Sequence, residues 1–259
     1  MTRLARGVVV LLALPIVLVA LAWVATANST SFYLPPLSRI VERFPDVWTL
    51  ERIMDDVVPS LTRVLVGYAV AVLLGVTIGV VVGSLPKLRA FSEPVLEFLR
   101  AIPPPVLVPV LMLFAGIGNT MKVSVIVFGA FWPVLLNTVE GVRAVDETLR
   151  ETCRCYGIRG PARVWHLVVR SASPQIAAGM RQGLSIAIIL MVISEMFAAS
   201  SGLGFTIVQF QRGFAIADMW TGVIILGLIG FLLAMLLRLF EWRTLRWYRG
   251  LRDAQRGRS

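Results

Sequence analysis

The sequence predicts an all-α, polytopic membrane protein with six transmembrane helices, and three observations predict it. Of 259 residues, 57% are hydrophobic and only 15% charged, and the apolar residues gather in runs of about 20, the length a helix needs to cross the hydrocarbon core. The runs cover 7–27, 61–82, 94–115, 121–140, 174–199 and 219–239. Second, Lys and Arg crowd into alternate connections, the asymmetry that orients a membrane chain. Third, one connection, 141–171, is itself patterned as two short helices. An ordinary soluble domain is excluded. The net charge of +10 does not signal nucleic acid, because the basic residues are spread over loops and the C-terminal tail between apolar spans.

The first run follows Arg3 and Arg6. It is longer than the roughly 7–15 residues of a signal-peptide core, so it reads as a retained helix running outward. Residues 28–57 mix Arg39, Arg43 and Arg52 with several acids and belong outside; a short amphipathic piece lies near 37–44. The second run repeats a small residue every four positions, at Gly67, Ala71, Gly75, Gly79 and Gly83, a ridge along which another helix can approach closely. Arg63, near its outer end, is expected to snorkel to the interface. Residues 84–93, with Lys87 and Arg89, read as an inner loop. The third span holds Arg100 and Pro103-Pro104-Pro105, which remove backbone donors and bend a helix. A tight turn at Gly116-Ile117-Gly118-Asn119 leads to the fourth span, with Trp132-Pro133 bending it. The fifth and sixth spans are joined by an outer loop, 200–218. A basic tail, 241–259, closes the chain and can hold to anionic lipid. The inner segments hold most of the Arg, including Arg143, Arg150, Arg154, Arg159, Arg163 and Arg170, so both termini and the 141–171 loop fall in the cytoplasm.

Within that loop, Val145, Leu149, Cys153 and Tyr156 recur at helical spacing on one face, while Asp146, Glu147, Arg150, Glu151 and Arg154 occupy the rest. Gly157 can take the left-handed conformation that ends such a helix, and Pro161 can open a second one over 161–170. Ser173 and Pro174 read as the cap and first turn of the long fifth helix. Cys153 and Cys155 lie on different sides of the short helix and are expected to stay reduced; with no further ligands nearby they make no metal site, and neither does the lone His166.

The spacing from Glu151 to Gly157 and on to Leu167-Val168-Val169 resembles the EAA loop of ABC-importer permeases. Pro174-Gln175-Ile176, Gly179-Met180-Arg181, Ser194-Glu195-Met196, and the stretch from Ala198 to Gly204 resemble the nitrate/sulfonate/taurine/bicarbonate permease family. Upstream, the run from Phe98 to Pro103, Gly116-Ile117-Gly118 and Phe131-Trp132-Pro133 fit the same family, so that the likeness covers about residues 61–237. The resemblance implies a type I ABC-importer permease fold in the cytoplasmic membrane of a prokaryote, organised as 1–57, a core over 58–240, and the tail. It implies partners as well: two ABC ATPase subunits that use ATP-Mg, a second permease copy or paralogue, and an extracytoplasmic substrate-binding protein.

In that reading Leu149 and Tyr156 anchor the coupling helix in an ATPase groove, Arg150 and Glu151 orient it, Cys153 lies on the same coupling face, and Gly157 ends it. Two departures stand out. Thr152-Cys153 replace the family's small residues, and Val169-Arg170 its Leu-Pro pair. Both bear on ATPase docking and fit a subunit that works beside a second, more typical permease; homodimerisation is the family's usual arrangement. The chain carries no Walker-type phosphate loop and no nucleophile with an adjacent base, so it is read as a permease with no cofactor of its own and not as an enzyme. Charges inside spans are costly and mark function or a partner. Glu195, deep in the fifth span, with Arg100, Pro103 and Arg181, is therefore a candidate for the translocation pathway, Arg100 or Arg181 meeting an anionic solute or neutralising Glu195 or Glu140. A gradient-driven secondary transporter or channel is the alternative reading.

Overall fold

A computed structural model describes residues 3–197 and 199–248, and among these all the regular secondary structure is helical. In order, the helices are α1 (Arg3–Thr26), α2 (Leu37–Val47), α3 (Leu50–Arg52), α4 (Val58–Ser84), α5 (Pro86–Arg100), α6 (Leu107–Ala115), α7 (Asn119–Arg143), α8 (Glu147–Cys155), α9 (Gly160–Arg163), α10 (Arg170–Phe197), α11 (Leu203–Arg212) and α12 (Ile216–Thr244). A π-helical turn, Ile53–Val57, joins α3 to α4, and another, Val164–Val169, joins α9 to α10. Among the described residues, four helical runs are long and apolar enough to cross a membrane: Leu50–Ser84, Asn119–Arg143, Gly160–Phe197 and Ile216–Thr244. A fifth arises if Pro86–Arg100 and Pro104–Ala115, bent by 70° at their junction, form one span.

The centre is α7, held between α4 and α10. The ridge of small residues on α4 is what lets it in. A Cβ built on Gly67, Gly75, Gly79 or Gly83 would stand 2.6 to 2.8 Å from the side chains of Ile126, Val134, Thr138 and Val142 respectively, closer than any side chain allows. Successive contacts advance by the same number of residues on both helices, eight and then four and four, so α4 and α7 run parallel. On the other side Gly179 faces the Pro133 carbonyl and Asn137, while Gly183 faces the Ala130 carbonyl, so α10 runs antiparallel. Val64, Ala71, Met121, Val125, Ile126, Ala130, Leu190 and Met191 form the core between them.

Several boundaries differ from expectation. Residues 84–93 are not a loop, because α5 begins at Pro86, where the ring costs no donor. The third span is not one helix over 94–115; Pro103, Pro104 and Pro105 supply no N–H to the preceding turn, and the chain breaks there and turns by 70°. Nor do Ser173 and Pro174 begin the fifth helix. A helix does open at Gly160 with Pro161 in its first turn, but it does not stop at 170; the helical run is continuous to Phe197. Pro174 would leave the Arg170 carbonyl without its donor, and the Ser173 hydroxyl fills that place at 2.8 Å. The outer loop 200–218 contains α11, with Gly202 at φ +120 before it. Beyond residue 248 the basic tail lies outside the described residues, as does Ala198.

Candidate functional site

The charged helix α8 starts at Glu147, two residues later than its apolar pattern suggests, because Asp146 is its cap: the Asp146 carboxylate accepts the Leu149 N–H at 3.1 Å. Val145, at the head of the apolar face, is buried against the helix bundle instead. At the other end Gly157 takes φ +71, as its position suggested, and the Ile158 N–H reaches the Cys153 carbonyl at 2.9 Å while the Gly157 N–H reaches Arg154 at 3.1 Å. These are the paired bonds of a Schellman stop. A nine-residue helix is marginal alone; this one is closed at both ends.

Arg150 ties it to the bundle. Its guanidinium donates to the carbonyls of Val142, at 2.9 Å, and Val145, at 3.2 Å, the first left over in the last turn of α7 and the second just past its end. Arg150 therefore turns inward, toward the membrane helices. Leu149 (49% exposed) and Tyr156 (79%) point away from the chain, with Glu151 exposed and Cys153 half-buried. Cys153 and Cys155 are free thiols. A hollow lined by Ser84, Val142, Val145, Arg150, Arg163 and Leu167 lies between the loop and the bundle.

At the opposite end of the bundle stands a buried polar cluster. Glu195 is wholly inaccessible and Arg63 is 6% exposed; their side chains meet at 2.6 Å. The Ser60 hydroxyl donates to the Glu195 carboxylate at 2.8 Å, and the Gly204 N–H adds a third bond at 3.0 Å. Arg63 also donates to Asn119, at 2.8 Å, and to the Ser201 carbonyl, at 3.1 Å. The N–H groups of Gly202 and Leu203 go to Asp56 and Ser60. Three successive donors at the start of α11 are thus taken by side chains of α10, α4 and the turn before it. Buried Lys122 stands beside this pair. Farther out, Arg43 grips Asp218 through Nε at 2.7 Å and Nη2 at 3.0 Å, fastening α2 to α12, and this carboxylate pushes the Arg43 pKa up.

The geometry corrects several expectations. Arg63 does not snorkel; it is the partner of Glu195. Glu195 lies two residues from the end of α10 and not deep in the span. Neither Arg100 nor Arg181 meets Glu195 or Glu140. Arg100 pairs with Glu97 at 2.7 Å on the surface of α5, Arg181 pairs with Glu241 of α12 at 2.5 Å, and Glu140 pairs with Arg143 at 2.6 Å. Pro103 is exposed at the break between α5 and α6. The four candidate pathway residues are therefore not brought to one place. The partner the sequence reading missed, Arg63, carried a signal: two lone charges of opposite sign, each in an apolar helix and at the same end of the bundle.

Residues 71–246, more than half of the chain, match the family described as binding-protein-dependent transport system inner membrane component. The taurine transport system permease protein TauC of Escherichia coli (strain K12) is 29% identical over 239 residues, which cover 90% of this chain and 87% of TauC. The putative aliphatic sulfonates transport permease protein SsuC of Bacillus subtilis (strain 168) is also 29% identical, covering 83% of this chain and 78% of its own. The bicarbonate transport system permease protein CmpB of Synechococcus elongatus is 29% identical over 68% of this chain and 64% of its own. Among solved structures, an inward-facing MetNI methionine ABC transporter chain superposes with a TM-score of 0.59 at 20% identity, over 78% of this chain and 96% of that one. It shares the fold. The chain belongs to the binding-protein-dependent transport system inner membrane components: it is a multi-pass permease subunit of an ABC importer, and not itself an enzyme.

Proposed function

We propose that the chain is one of two permease copies in an importer for a small oxyanion, driven by two ATPase subunits that use ATP-Mg and fed by an extracytoplasmic binding protein. In this reading α1 and the bent α5–α6 pair complete six crossings, and both termini lie on the cytoplasmic side with α8. The similarity to permeases named for taurine, aliphatic sulfonates and bicarbonate supports the solute class. The observation that carries the proposal is α8 itself. It presents Leu149 and Tyr156 outward on a helix capped at both ends and fastened through Arg150 to the Val142 carbonyl in the last turn of α7. A knob so mounted passes a push from a soluble partner to the central helix of the bundle without bending. Leu149, Cys153 and Tyr156 fill the ATPase groove, Glu151 faces its rim, Gly157 keeps the stop, and Arg150 transmits.

The test is uptake of radiolabelled taurine or bicarbonate into proteoliposomes holding the complete complex and its binding protein. Uptake that requires internal ATP and ignores proton and sodium gradients is expected. Uptake that follows an ion gradient without ATP contradicts the proposal.

A further inference from the structure

We infer that the exposed face shared by α7 and α10, beside the break of the α5–α6 span, lines a water-filled stretch of the solute path, and that the Gln182 amide is the donor an oxyanion meets there. The inference rests on the importer reading and names a residue within it.

Depth comes first. A Cβ built on Gly129, close to the middle of α7, would stand 3.2 Å from Pro104 and 3.3 Å from Ile186, so the break lies against both α7 and α10 about halfway along α7. Gln182 is one helical turn from Ile186 on α10. At this level the break is costly. Pro103, Pro104 and Pro105 have no N–H to give, and the Val106 N–H goes to the Pro103 carbonyl at 3.0 Å, so the carbonyls of Arg100 and Ala101 lack a local donor. Ala101 and Pro103 are exposed. Irregular backbone at membrane depth is tolerated only against protein or water.

The facing side chains agree. Gln182 and Ser185 are exposed in the interior of an apolar span, where a lipid-facing polar group is unfavourable. Moreover, Gln182 is held. The Asn137 amide donates to the Pro133 carbonyl at 2.8 Å and to the Gln182 carbonyl oxygen at 3.2 Å. With its acceptor held by Asn137, Gln182 has both Nε2 hydrogens left over; among the described residues nothing takes them. Asn137 is thus a positioning residue. The nearby cation is committed elsewhere, since Arg181 is bound to Glu241. A neutral amide donor suits passage: it favours an anion without trapping it, and conduction needs binding weak enough to leave.

The experiment uses the assembled transporter in liposomes, with Ser185→Cys as a reporter and peptide mass spectrometry to separate it from the native thiols. Two methanethiosulfonate reagents are compared, one bearing a sulfonate and one a quaternary ammonium. Both should react at 185, and neither at a thiol placed by Leu113→Cys on α6, where the residue is 86% exposed on an apolar surface. Adding Gln182→Leu should lower the anionic-to-cationic rate ratio about tenfold, the worth of one hydrogen bond to a charged group, while Gln182→Asn preserves most of it. No reaction at 185 with either reagent, disulfide formation between copies in its place, or a ratio unmoved by Gln182→Leu would overturn the inference. The labelling needs no ATP, so a complex that lacks ATPase activity strikes the importer reading alone.

Discussion

Glu195 shows what a single residue does here. A carboxylate without any solvent contact is tolerable only because Arg63, Ser60 and the Gly204 N–H surround it. Removing one partner leaves the other charge buried alone, so Arg63→Met or Glu195→Leu should each cost about 3–5 kcal/mol, read as a lowered Tm in detergent. The double substitution should cost less than the sum, because each single change already strands the other's charge. Additive losses would contradict the pairing. The charge in the fifth span was legible in the sequence, since an acid there demands a partner. Its mate was not, because Arg63 lies 132 positions away, and a residue near a helix end satisfies the snorkelling pattern equally well. Arg100 and Arg181 were misread for the same reason: a position in a span does not say which way a long side chain turns.

At the scale of elements, the ridge on α4 was readable because a four-residue repeat of small side chains has few other uses in an apolar helix. It predicts a graded response. Gly75→Val and Gly79→Val should each destabilise by about 1–3 kcal/mol through forced separation of α4 and α7, whereas Gly227→Val on α12, where an added Cβ meets nothing within 4 Å, should leave Tm unchanged. Helix α8 was legible too, from its apolar spacing and Gly157. Replacing Gly157, at φ +71, with Ala should cost about 1–2 kcal/mol of local stability, measured as faster amide exchange across 147–157. Unchanged exchange would contradict the Schellman stop. What could not be read were the starts and ends that depend on proline. Pro174 sits inside α10 because Ser173 fills the vacant bond, while Pro103 to Pro105 break the chain because nothing does. The two cases look alike until the neighbours are known.

On the whole-molecule scale, a bundle centred on α7 joins two distant groups. Arg150 holds α8 to one end of α7, and Asn119, at the other end, is bonded to the Arg63 that binds Glu195. If α8 is the coupling helix, its displacement would reach the buried cluster through one helix packed on both sides. Arg150→Ala should leave the outward face of α8 in place yet cut ATP-driven uptake at least about tenfold relative to ATP hydrolysed, since it removes two charge-assisted bonds; the ratio of solute moved to ATP consumed in proteoliposomes checks this. The most direct test of the coupling role is co-purification of the ATPase with the tagged chain, wild type against Leu149→Ala/Tyr156→Ala. The account predicts that the ATPase comes with the wild-type chain and is lost from the double variant, while the variant's own Tm is unchanged. An ATPase that stays bound to the double variant, or never accompanies the wild type, would contradict it.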